Sequence, residues 1–168
     1  MIPSMRAAVA RAAFAACAAT TLLVLSGCDS GSEVDLVASG KEYLEKKDAK
    51  AAVIQLKNAI SRNPQSAEAR ALLGRALLET GDPVAAAVEL RKAQELKAPD
   101  ETVLPDLARA MLLIGEESKV IAQFGDLRLR DSDATADLLT TVAAAHVLGN
   151  DLDKARAALR AGLQAKPM

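Results

Sequence analysis

The chain has 168 residues, a net charge of −1 and 51% hydrophobic residues, with one histidine, two cysteines and no tryptophan. That balance carries no basic excess, which argues against nucleic acid as the main partner. It also supplies too few nitrogen and sulfur donors for a zinc-type centre.

The front end reads as an address. Arg6 and Arg11 give a basic start, followed by a largely apolar run of 14 residues, Ala12 to Leu25, interrupted by Cys17, Thr20 and Thr21. A transmembrane helix needs about 20 apolar residues, so the run fits the h-region of a secretory signal peptide instead. The ending Leu25-Ser26-Gly27-Cys28 resembles the bacterial lipoprotein signal. That resemblance implies cleavage after residue 27 and acylation of Cys28 with two or three palmitate-type chains. Two chains suffice for stable anchoring where one does not. Asp29 follows the cysteine, and in enteric lipoproteins an aspartate there favours the inner membrane; the outer membrane remains the alternative. In either case the folded part is expected to face the periplasm.

Residues 28–32 are then a short tether, its stretch after Cys28 spanning roughly 14 Å at most. The mature chain, Cys28 to Met168, loses Arg6 and Arg11 and has a net charge of about −3. Cys17 leaves with the signal and Cys28 is acylated, so no disulfide is expected. Tyr43 and Phe124 are the remaining aromatics, while alanine and leucine dominate. Such a composition suits closely spaced helices rather than strands, which favour β-branched and aromatic residues. The domain is expected to be all-α.

A period of 34 residues runs through residues 33–168. Gly40 and Gly74, Ala52 and Ala86, Leu56 and Leu90, and Ala59 and Ala93 are each 34 apart, and Gly81, Gly115 and Gly149 continue the pattern. The segments are 33–66, 67–100, 101–135 and 136–168, the last one residue out of register. Gly81-Asp82-Pro83 predicts a helix stop, an N-cap and a helix start in succession. Asn63-Pro64 ends another helix. Gly40 and Gly74 fall inside helices, where glycine costs about 1 kcal/mol against alanine, so close packing of a paired helix is expected there. In segment three, Pro105 suggests a late helix start near Thr102, and Gly125 interrupts the second helix.

With these columns the chain resembles the tetratricopeptide repeat, a helix-turn-helix unit. The small residue of its first helix corresponds to Gly40, Gly74, Ala108 and Ala143, and that of its second to Ala52, Ala86 and Ala155, with Val120 in segment three. The terminal proline corresponds to Pro64 and Pro167, with Pro99 displaced by one. The resemblance implies an α-solenoid of about four repeats that binds protein partners. It also implies that the column Lys41, Arg75 and Arg109 lines a concave groove together with Leu44, Leu78 and Leu112. A ladder of three cations suits an acidic peptide or an anionic polysaccharide. The competing reading is a solvated face, with Lys41 and Arg75 paired to Glu45 and Glu79 one turn on. The chaperone-tail clamp of some members is not expected, because Val37 and Lys41 stand where it uses lysine and asparagine.

No phosphate-binding loop, nucleophile elbow or metal-ligand cluster is present in the sequence, and no catalytic residue or cofactor is expected. His146 shares the column of Tyr43, Leu77 and Met111 and reads as a packing residue. In the last helix, Ala155, Leu159, Gly162 and Leu163 read as an inward stripe. Solenoids normally end in a polar capping face. Arg156 and Arg160 supply only part of one, so the end is expected either to dock onto something or to continue as a longer array.

The stretch from Gly40 to Leu96, with the lipoprotein signal, is similar to the repeat lipoproteins that accompany the PEP-CTERM/exosortase sorting system of exopolysaccharide-producing bacteria. Members are usually longer, so the resemblance implies a truncated or amino-terminal version. The resemblance implies a role beside polysaccharide export or sorted-protein assembly. Lipoproteins for pilus assembly or outer-membrane protein insertion share the general design.

Overall fold

The computed structural model describes residues 31–165. The signal peptide, Cys28 and Asp29, and the terminal Pro167 lie outside them. Eight helices follow one another: α1 (Glu33–Glu45), α2 (Ala49–Arg62), α3 (Ala67–Glu79), α4 (Pro83–Glu95), α5 (Asp100–Leu113), α6 (Glu117–Phe124), α7 (Ser132–Leu148) and α8 (Leu152–Ala165). No strand occurs among the described residues. Consecutive helices pack as antiparallel neighbours. The first helix of each pair also touches the first helix of the next: α1 meets α3, α3 meets α5, and α5 meets α7.

Local signals account for most of the boundaries. Ser32 caps α1 through a reciprocal box with Asp35, the Asp35 N–H donating to Ser32 Oγ at 3.2 Å and the Ser32 N–H donating to Asp35 Oδ2 at 2.9 Å. Asp48, Ser66, Asp82 and Asp131 cap α2, α3, α4 and α7 in the simpler way, each accepting from a backbone N–H three residues on. Asp151 does the same for α8, accepting from the Lys154 N–H at 3.1 Å.

The turn inside each helix pair repeats one backbone conformation. Lys47, Gly81, Gly115 and Asn150 have φ of 61°, 84°, 81° and 58°. All four are left-handed, a region that glycine enters freely and other residues enter at a cost. The first and last pairs thus make the same turn without glycine. Gly149, which the spacing singled out, has φ −77°. The one-residue shift of segment four hands its role to Asn150, a residue that tolerates this region.

The interior glycines are steric requirements. A Cβ on Gly40 would lie 2.7 Å from Leu56 Cδ2, and one on Gly74 would overlap Leu90 still more closely. Leu56 and Leu90 are themselves fully buried. Each of the first two pairs therefore closes by a leucine of the second helix seating on the bare backbone of the first.

Side-chain bonds then join pair to pair. Arg70 of α3 donates to Glu89 of α4 at 2.6 Å and to the Pro64 carbonyl at 2.8 Å and 3.1 Å, tying the preceding turn to both helices. Ser66 Oγ donates to Glu33 at 2.5 Å, joining the starts of α1 and α3.

The third pair is the least regular, as expected. Neither α5 nor α6 has a side-chain cap, and α6 runs only 8 residues before Gly125. A Cβ on Gly125 would meet the Ile121 carbonyl at 2.7 Å. The late start expected for α5 does not occur. The helix begins at Asp100 and carries Pro105 inside it, with Asp100 and Glu101 in its first turn. Acidic side chains favour that end, and the proline removes one hydrogen bond without ending the helix.

The stripe expected on α8 also divides. Ala155 and Gly162 are buried, but Leu159 and Leu163 face outward. Ala155 and Gly162 fill the closest contact with α7. The two leucines lie around the helix from it: Leu159 stands in the column of the fully buried Leu56 and Leu90, whereas the column of Leu163 is half-buried at Ile60 and exposed at Gln94. His146 is buried, as are Met111 and Leu77 of its column, while Tyr43 is half-buried.

Candidate functional site

The first helices, α1, α3, α5 and α7, share one face, and the predicted cation column lies along it. Lys41, Arg75 and Arg109 are all exposed. Their partners differ from the within-helix pairs that spacing suggested. Lys41 of α1 forms an ion pair with Glu68 of α3. Arg75 of α3 donates through Nε to Asp106 of α5 at 2.9 Å. Both cations therefore reach across to the next first helix rather than along their own. Such exposed pairs are worth about 0–1 kcal/mol each. Their main effect is on availability, since two of the three charges already have a carboxylate.

Arg109 is different. Among the described residues it makes no ion pair or hydrogen bond. It lines an open cleft of about 460 Å³ between α5 and α7, with Asp106, Leu112, Leu113, Asp137, Thr140 and Thr141 around it. The floor mixes exposed apolar surface, chiefly Leu113 at 58% exposure, with hydroxyls and one uncommitted cation. A smaller cleft of about 150 Å³ lies between α1 and α3 around Val34, Val37 and Lys41, with Glu68 on its rim.

The three predicted groove leucines separate. Leu44 and Leu78 are buried core residues, 8% and 7% exposed. Three positions on from Lys41 and Arg75, they turn under the helix toward the paired second helix. Leu112 is partly buried and does line the α5–α7 cleft. The structure adds Leu113, Thr140 and Thr141, which the repeat columns did not pick out. The register shift in segment four hid the α7 contribution. The available signal was the Thr140-Thr141 pair within the apolar stretch from Leu138 to Ala145.

The described residues contain no group of three or more His, Cys, Asp or Glu side chains placed to hold a metal ion. Among them no helix is long and apolar enough to cross a membrane. The carboxylates with lowered pKa values are exposed or half-buried and held by local bonds. Asp35 is lowered by Ser32, Glu42 by Lys46, Glu116 by Lys119, and Asp151 by Lys154. None of the four belongs to the cleft, and each acts as a helix cap or a turn brace.

A family model described as tetratricopeptide repeat matches residues 43–104, from the second half of α1 into the start of α5. No curated protein matches the chain. Among solved structures, the chain is similar to one titled "Crystal structure of MamA", with a TM-score of 0.71 and 21% identity over 82% of this chain and 80% of that one. At that identity the likeness speaks to the fold. The successive helix pairs agree with it, and residues 31–165 form a tetratricopeptide-like α-solenoid.

Proposed function

We propose that the chain is a membrane-anchored periplasmic scaffold that holds a protein partner on the first-helix face. The observation that carries this reading is the α5–α7 cleft. It is open, it joins exposed Leu113 to a hydroxyl pair, and its Arg109 is uncommitted while the two preceding cations are paired. An extended segment or helix with an apolar anchor and a nearby carboxylate suits that surface. Acylation at Cys28 would raise the local concentration of such a partner at the membrane. Asp29 favours the inner membrane. The similarity of the signal and first two repeats to the exosortase-associated lipoproteins suggests exopolysaccharide or sorted-protein export as the setting. Our reading gives the chain no catalytic role.

The test is affinity capture from membranes with the full chain, comparing wild type with Arg109→Glu and Leu112→Asp. Loss of the same partner in both variants, with helical content retained, supports the cleft. An unchanged partner set places binding elsewhere. Capture of an anionic polysaccharide in place of a protein, weakening steeply with salt, would replace the scaffold reading with a saccharide binder. Recovery of pilus or outer-membrane insertion components would move the setting while keeping the mechanism.

A further inference from the structure

The two ends of the solenoid are finished differently. In α1 the leading face carries Asp35, Ser39 and Glu42. The same columns hold Ala69, Leu73 and Ala76 in α3 and Val103, Leu107 and Ala110 in α5, all buried by the preceding pair. The leading end is thus polar and closed. On the trailing end, Leu159 stands in the column of Leu56 and Leu90. Those two are fully buried, yet Leu159 is 46% exposed, with Leu152 at 54% and Leu163 at 69% beside it. No described residue covers them.

We infer that this face of α8 pairs with α8 of a second copy of the chain, antiparallel and about a two-fold axis. The argument is self-complementarity. Leu152, Arg156, Leu159 and Leu163 form one stripe at helical spacing, and Asp153 and Arg160 lie on the same flank of it, one position after Leu152 and Leu159. Antiparallel pairing about an axis normal to the plane of the two helices keeps matching flanks together. It sets Leu152 against the partner's Leu163, and the aliphatic stem of Arg156 over the partner's Leu159. Asp153 then falls beside the partner's Arg160, and symmetry makes the contact twice. Asp153 has its carboxylate free enough to take part: its side chain is 97% exposed, and its ion-pair contact to Arg156 is long at 3.8 Å. Head-to-tail stacking is disfavoured, because the leading face would offer Asp35, Ser39 and Glu42 to the exposed leucines.

The test uses the full chain in the cells that produce it, with a photo-crosslinking phenylalanine at position 163. The expected product is a crosslinked homodimer whose second site maps to α8 near Leu152. Asp153→Arg and Arg160→Asp should each lower its yield about tenfold, as two rim pairs turn from attractive to repulsive. The combined variant should restore it. Crosslinks only to a different protein, a second site in α1, or no crosslinked product would overturn the inference. So would single charge reversals without effect, or a combined variant that fails to restore the dimer.

Discussion

Gly74 lies directly against Leu90, so that a side-chain carbon on the glycine would occupy the space of the leucine's branch point. Leu90 is fully buried and cannot swing into solvent. Gly74→Ala is therefore expected to destabilise the domain. Alanine gains about 1 kcal/mol of helix propensity, but overpacking costs about 1–3 kcal/mol, and the rigid neighbour tips the balance toward loss. Gly162→Ala should go the other way. A Cβ there meets only ordinary contacts, from 3.5 Å outward, so propensity alone acts, at about 0.5–1 kcal/mol of gain. Urea unfolding of the two variants reads the opposite signs directly.

Lys47 makes with φ 61° the turn that Gly81 makes with φ 84°. Lys47→Gly should raise stability by about 0.5–1 kcal/mol by relieving the left-handed strain. Gly81→Lys should lower it by about 1–2 kcal/mol. Thermal unfolding of both variants checks the pair. Equal and negligible shifts would mean the turn is not held in common.

Acid should loosen the caps. Asp35, held low by Ser32, and Asp151, held low by Lys154, have folded pKa values below their ordinary ones. Glu116, held low by Lys119 and Arg91, behaves alike. A depressed carboxylate contributes stability that is fully present above its unfolded pKa and is lost as pH falls through its folded pKa. The urea midpoint should thus be insensitive to these groups near neutrality and decline through the carboxylate range. Replacing Asp35 and Asp151 together by alanine should lower the neutral midpoint and flatten that decline.

The lipid anchor is tested by processing. Cys28→Ser is expected to leave an uncleaved precursor without acyl chains, read by its mass and by failure to take up labelled palmitate. Normal cleavage and membrane retention in that variant would remove the anchor from the proposed function.

Much of the fold was legible from residue spacing. The recurrence of glycine and leucine columns predicted which helix seats on which, and Gly81-Asp82-Pro83 predicted a stop, a cap and a start that all occur. The less regular third pair was legible from Gly125. Two local readings failed for local reasons. A proline in α5 did not delay the helix, and the turn of segment four fell on Asn150 because one inserted residue shifted its register.

The candidate site was half legible. Spacing placed Lys41, Arg75 and Arg109 on one face, since residue number sets the angle around a helix. It could not say that Lys41 reaches Glu68 and Arg75 reaches Asp106, leaving Arg109 without a partner among the described residues, because those contacts depend on how far one helix is displaced along the next.

By itself the sequence determined the period, the Gly81-Asp82-Pro83 stop, cap and start, and the close packing at Gly40 and Gly74. Each of these is settled within one helix pair, by backbone sterics and short-range hydrogen bonds. Only the tertiary structure decided that Leu44 and Leu78 lie in the core, that Leu112 and Leu113 open onto a cleft with Thr140 and Thr141, and that Leu159 and Leu163 face outward. Burial is a property of the neighbour that arrives at a surface, and a spacing rule carries no information about whether one does.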